Sequence, residues 1–168
     1  MRNKIILAIL LAFTIIGFVI YKNKNSLNQK LLSNVSLPED GLLEKYLNNI
    51  ILKPEFGGKV FCVFNKYGFE EKDNQIAYYL WAYCEEYYKK GTEILMGSGV
   101  SIPVRLNASK KGNQIIITDY KKPIDGEDYS KSIREMFPEK YSSSAINGFD
   151  ITTFPESPKE KADQYYKN

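Results

Sequence analysis

KVFCVFNKYGFEEKDNQIAYYLWAYCEEYY, residues 59–88, is two β-rich runs around one polar connection. Lys59 to Glu70 is the first run and Gln75 to Tyr88 the second, with Glu71-Lys72-Asp73-Asn74 between them. A short polar link between such runs predicts a hairpin. With the turn at Lys72-Asp73-Asn74, residues equidistant from Asp73 oppose one another, and Cys62 and Cys84 are such a pair. Opposed Cβ atoms at a non-hydrogen-bonded site lie about 4.5–5.5 Å apart, near the span a disulfide closes. An oxidising compartment would allow that bond. Two free thiols remain the alternative, favoured if the domain is cytoplasmic or the register slips by one. A redox-catalytic role does not fit, because the spacing is nothing like C-x-x-C.

The second run has apolar residues on both faces. Period two places Tyr79, Trp81 and Tyr83 on one face and Tyr78, Leu80, Ala82 and Cys84 on the other. Tyr79, Trp81 and Tyr83 are therefore the candidate contact surface for a ligand if their face is open, and ordinary core if it is covered. Glu85 and Glu86 with Asp119 could supply a carboxylate pair, but adjacent strand residues point to opposite faces, so Glu85 and Glu86 cannot cooperate directly, and solvated strand ends explain them better.

Working outward, Gly97 to Ala108 and Gln114 to Lys121 read as a third and fourth strand, joined by Ser109 to Asn113. Pro103 belongs at an edge or a bulge, since it donates no ladder hydrogen bond. Gly97-Ser98-Gly99-Val100-Ser101 matches neither a phosphate loop nor a serine-nucleophile motif and predicts a strand bulge. Upstream, Ser36-Leu37-Pro38-Glu39 has capping-box spacing, and Leu42, Leu43, Tyr46, Leu47, Ile50 and Ile51 recur at helical period as far as Lys53. Downstream, Asp128 to Phe137 predicts a short helix that Asp128 can cap, and Ala145-Ile146-Asn147-Gly148 a further helical turn with a glycine stop. The fold class is α+β, a helix packed on a four-stranded antiparallel meander with short C-terminal helices.

The other decisive stretch is Ile5 to Tyr21, IILAILLAFTIIGFVIY, with Arg2 and Lys4 before it and Lys22 and Lys24 after. A helix of that length rises about 25 Å, just short of a bilayer's hydrocarbon core. The run ends without a small-x-small cleavage site, which favours an uncleaved signal-anchor over a removable signal. The expected organisation is a signal-anchor over 1–24, a stalk or helix continuation over 25–35, an extracytoplasmic domain over 36–148 and a flexible tail over 149–168. The short basic head before the run places the N-terminus inside and the domain outside.

Composition narrows the function classes. The 168 residues carry a formal charge of +3, but the first 24 hold four basic residues and no acid. The remainder has 19 basic against 20 acidic residues, so there is no footprint for nucleic acid. With no histidine, the commonest metal ligand and general base are both missing. Two cysteines alone do not make a zinc site, and nothing calls for a cofactor. The expected function is a non-enzymatic binding or interaction module at a cell membrane, taking a peptide, glycan or protein ligand. The alternatives are a small hydrolase or nuclear-transport-factor-like enzyme using carboxylate and Tyr groups, and an immunity or inhibitor protein.

One set of residues carries a resemblance: Tyr83-x-x-Glu86-Tyr87, Gly97-Ser98-Gly99-x-Ser101-Ile102-Pro103-Val104, Asp119-Tyr120, Asp125-Gly126-x-x-Tyr129 and Ile133-x-x-x-Phe137-Pro138. In this order they resemble a poorly characterised extracytoplasmic domain of low-GC Gram-positive bacteria. That domain occurs alone behind a membrane or lipid anchor, or appended to proteins resembling the β-lactam-sensing receptors. The resemblance runs from about Phe61 to Phe137, implies export and a helix-plus-sheet domain, and brings no site residues. Helix-then-four-strand order also matches, by analogy of fold alone, the curved sheets of cystatins and of the nuclear-transport-factor family.

Overall fold

The computed structural model describes residues 38–112 and 114–167. Helix α1 spans Pro38–Ile50, and strands β1 (Lys59–Lys72), β2 (Gln75–Lys90), β3 (Glu93–Lys111) and β4 (Gln114–Lys121) form one antiparallel sheet in the order β1-β2-β3-β4. The architecture is α+β with a four-stranded meander. The apolar run Ile5–Tyr21, the stalk reading and the Ser36 capping box lie outside the described residues. Among the described residues no helix is long and apolar enough to cross a membrane.

The hairpins are tighter than the sequence predicts. The β1–β2 turn is the two residues Asp73 and Asn74, both at positive φ (51° and 63°), with Lys72 paired to Gln75. Two positive-φ residues match the right-handed twist of the flanking strands, and Asp and Asn tolerate that region. On this register Cys62 would face Glu85. Tyr67 prevents it: Lys66 pairs with Leu80 and Gly68 with Tyr79, so Tyr67 is an extra residue, and beyond it Cys62 faces Cys84. The pair is bonded, with Cα atoms 4.1 Å apart.

That short separation marks a non-hydrogen-bonded pair, so the Cys62 N–H points away from β2. It donates to Asn48 Oδ1 of α1 at 2.7 Å, which closes part of the edge of β1. Carried across the sheet, the same alternation turns the Pro103 nitrogen outward, away from β2. The β3–β4 ladder ends at Arg105 paired with Lys121, so Pro103 on β3 and Pro123 beyond β4 occupy the next matching positions. Neither can extend the ladder, which is why β4 stops there.

α1 lays Leu43, Leu47 and Ile51 on the sheet face formed by Val60, Cys62, Tyr78, Leu80, Ala82, Val104 and Leu106. Burying Leu43 and Leu47 completely contributes about 1.5–3 kcal/mol each. The opposite face is covered by the rest of the chain. A 3-10 turn (Gly126–Asp128) leads into α2 (Tyr129–Met136) and α3 (Glu139–Asn147), whose Ile133, Met136, Phe137 and Ala145 pack on Tyr79. Asp128 makes no side-chain cap for α2, contrary to expectation. Gly148 ends α3 at φ 86°.

The segment expected to be a flexible tail is structured. After a second 3-10 turn (Ile151–Thr153), α4 (Pro158–Lys167) packs against β1 and β2, with Ala162 fully buried beside Phe61 and Tyr87. The Tyr166 hydroxyl donates to the Tyr87 carbonyl at 2.8 Å. α4 starts on a capping box: the Ser157 N–H and hydroxyl both meet Glu160 Oε2, at 2.7 and 2.9 Å, and the Glu160 N–H returns to Ser157 Oγ at 3.2 Å. Pro158 stands at the first helical position, where its missing N–H costs nothing.

Candidate functional site

Tyr79, Trp81 and Tyr83 do share one face of β2, and that face is covered. Trp81 is 6 % exposed and Tyr79 3 %. The Trp81 indole N–H donates to Ser101 Oγ at 2.9 Å. Tyr83 is half-buried, stacked on Phe154, and its hydroxyl donates to Glu85. These three rings are core and cover, so they form no open aromatic platform.

Glu85 and Glu86 diverge to opposite faces as expected, but neither is a solvated strand end, for both are buried. Glu85 is buried and accepts from the hydroxyls of Tyr83 and Tyr87, the latter at 2.6 Å. Burial and this hydrogen bond push the Tyr83 phenol up to about 12 and raise Tyr87 as well. Glu86 is fully buried under the loop joining α1 to β1. Its Oε1 accepts from the backbone N–H of Phe56 at 2.9 Å and of Gly58 at 2.8 Å. Its Oε2 accepts from the Glu55 N–H at 2.8 Å and the Ser98 hydroxyl at 2.9 Å. Burial alone would raise its pKa, but these donors outweigh burial and hold the carboxyl down at about 2.

The expected bulge makes room for Glu86. Glu85 pairs with Gly99 and Tyr87 with Met96, leaving Gly97 and Ser98 opposite Glu86. A Cβ on Gly97 would sit 2.8 Å from Glu86 Oε2, and one on Gly58 2.4 Å from the Tyr87 carbonyl oxygen. Glycine is needed at both positions for backbone to approach the carboxylate. A carboxylate held charged, with both oxygens occupied, is an anchor for the loop and a poor general acid or base.

The open chemistry lies at the hairpin end of the face that carries Tyr79. There a cleft of about 460 Å³ is bounded by Ala77 and Tyr79 of β2, Arg105 and Asn107 of β3, Asp119 of β4 and Glu70 of β1. Glu70 is engaged: it accepts from the Tyr79 hydroxyl at 3.0 Å and pairs with Lys140 of α3 at 3.0 Å. Those two contacts lower its pKa. The Arg105 guanidinium lies 5.8 Å from the Tyr79 ring centroid and gives its Nε proton to Asn107 Oδ1 at 3.0 Å. Asn107 Nδ2 is 3.5 Å from Asp119 Oδ2.

Arg105 and Asn107 share this face because β3 alternates them with buried Val104, Leu106 and Ala108. Of the cleft's polar residues, the sequence reading singled out Asp119 and Tyr79. The signal for the rest was an Arg-x-Asn step inside an apolar strand. Among the described residues no group of three or more Cys, Asp or Glu side chains is arranged to hold a metal ion.

Comparison with protein-family models, with curated proteins and with solved structures finds no match for this chain.

Proposed function

We propose that this chain is a binding module held at the cell membrane by its N-terminal apolar run, with the α+β domain outside the cytoplasm and its ligand seated in the Arg105–Asp119 cleft. The observation that carries this reading is the cleft itself: an open recess, walled by fixed polar side chains, on a face that α2, α3 and α4 otherwise cover. Sequence supports the anchor through the length of Ile5–Tyr21 and its basic flanks, and the Cys62–Cys84 bond suits an exported domain. The resemblance to the Gram-positive extracytoplasmic domain agrees with export, while the cystatin-like or nuclear-transport-factor-like order of elements hosts binders and enzymes alike and chooses neither.

Of the enzyme readings, the carboxylate–Tyr alternative needs a closed cavity with a poised acid. The most buried carboxylate, Glu86, is instead saturated with donors and fixed in its charged form. The inhibitor reading keeps one observation in its favour. β4 pairs only with the Arg105–Lys111 half of β3, so the earlier half has an edge to which a partner strand could add.

The test is a thermal-shift screen of peptides, glycans and amino acids against the full chain in detergent, alongside Ala77→Trp, which fills the cleft. A ligand at about 100 times its Kd adds about 2.7 kcal/mol. That is a shift of several degrees for a chain of this size. A ligand that stabilises the wild type and not the variant supports the reading; equal stabilisation of both, or no ligand at all, overturns it. Protease access to the domain in right-side-out and inverted vesicles tests the orientation.

A further inference from the structure

We infer that the cleft selects a small zwitterion, a free amino acid or a dipeptide, with Arg105 taking the carboxylate and Asp119 the ammonium. The inference rests on the cleft being the ligand site and adds the ligand's chemistry. Its basis is two opposite charges held close together without meeting. Arg105 and Asp119 stand on neighbouring strands, Asp119 directly across from Asn107 and Arg105 two residues along from it. The Asn107 amide stands between them, its oxygen on the guanidinium and its nitrogen toward the carboxylate.

Only Nε of Arg105 is used this way, and among the described residues no carboxylate lies within 4.0 Å of the guanidinium. Its two terminal nitrogens are the fork that grips a carboxylate in two parallel hydrogen bonds. Asp119, exposed and with one long hydrogen bond, keeps acceptor capacity for an ammonium group. Glu70, the other acid at the rim, is paired with Lys140 and hydrogen-bonded by the Tyr79 hydroxyl; it feels the Arg105 charge but makes no ion pair with it.

A purely anionic ligand would meet Asp119 as a repulsive neighbour, and a purely cationic one would meet Arg105 and, on the β1 side of the cleft, Lys72. A ligand carrying both charges a few ångströms apart satisfies the two and leaves neither unpaired. The Tyr79 ring beneath the guanidinium and the Asn107 amide beside it fix the fork, so little rotamer freedom is lost on binding.

Calorimetry of the full chain in detergent tests this with alanine, dialanine, N-acetyl-dialanine, dialanine amide and N-acetyl-dialanine amide, each up to about 10 mM so that Kd values near 1 mM are seen. Alanine or dialanine should bind, and comparing them tells a free amino acid from a dipeptide. Blocking either charged end of dialanine should weaken binding about tenfold, and blocking both should abolish it. Arg105→Gln should erase the preference for a free carboxylate, and Asp119→Asn the preference for a free ammonium, with far-UV circular dichroism unchanged. Equal binding of free and doubly blocked dialanine, displaced by Ala77→Trp, would overturn the zwitterion while keeping the cleft as the site. No binding by any of the five overturns the inference, and the wider ligand screen then judges the cleft independently.

Discussion

Glu86→Gln should destabilise the domain by about 3–5 kcal/mol, although it changes one atom. The carboxamide has one acceptor where the carboxylate has two. With its oxygen at the Oε1 position it keeps the Phe56 and Gly58 N–H groups, but these bonds fall from charge-assisted to neutral, a loss of about 1 kcal/mol each. Its NH2 then confronts the Glu55 N–H, which the carboxylate met at 2.8 Å, donor against donor. An orphaned buried N–H costs about 1–3 kcal/mol. The Ser98 hydroxyl escapes by rotating to accept. The assay is urea unfolding of wild type and variant, with a parallel melt in which Tm should fall by about 10 °C. A pH series gives the second arm. The Glu86 pKa is lowered from 4.5 to about 2 on folding, so its contribution is fully present above pH 4.5 and is lost as pH falls toward 2. The variant should lack that part of the acid slope. A loss below about 1 kcal/mol, or the same acid slope in both proteins, would refute the account of Glu86 as the anchor of the α1–β1 loop.

Three further outcomes follow from the same structure. Reducing the Cys62–Cys84 bond, or replacing both residues by Ala, should cost about 3 kcal/mol by the chain-entropy relation for residues 22 apart, read as a fall in urea midpoint; a loss under about 1 kcal/mol would show that the hairpin is already closed without it. Tyr83 and Tyr87 keep their protons longer folded than unfolded, so their contribution holds below pH 10 and is lost as pH rises through 12. Tyrosinate absorbance should therefore show a late fraction that ionises with unfolding, and ionisation of every tyrosine near pH 10 in an intact fold would contradict this. Ser157→Ala breaks the capping box of α4 at a cost of about 1 kcal/mol and should speed hydrogen exchange in Ala162–Tyr166 ahead of the sheet, whereas unchanged exchange there would mean that packing on Phe61 alone holds the helix.

The sheet was legible because its strands alternate strongly and β2 is apolar on both faces, as a central strand must be. α1 was legible from its period. The hairpin ends were less so: the strands run on through Lys72, Lys90 and Lys111 because tight turns need only two residues, and charged side chains on strand tips cost nothing in water. α4 escaped because its buried residues are only Pro158 and Ala162, with Tyr166 half-buried beside them, too sparse for a periodic signal. Ser157-x-x-Glu160 was nonetheless the same capping pattern recognised at Ser36. The covered fate of Tyr83 was not readable from β2 alone, since it depends on Phe154, about seventy positions later, folding back onto it. The cleft was missed for a similar reason: Arg105, Asn107 and Asp119 become neighbours only through the β3–β4 register.

That register turns on single extra residues, and their effect is a matter of parity. On β4, Ile115 and Ile117 face the α1 core, and so does Tyr120, three positions on. Strict alternation cannot place all three on one face. Thr118 absorbs the mismatch: Ala108 pairs with Ile117 and Asn107 with Asp119, leaving Thr118 unpaired. Without it Asp119 would face Leu106, and a carboxylate would be driven toward the core. On β1, Tyr67 does the same for the cysteines, so that Cys62 and Phe64 before it and Phe69 after it all lie on the face of Tyr78 and Leu80. Both bulges are written in the sequence as a break in apolar parity, a signal available without a structure. The disulfide, the seat of Glu86 and the charge pair of the cleft each lie on a register that a bulge sets. The irregular residues of this sheet therefore position its chemistry, and the regular ones supply the frame that makes such a shift count.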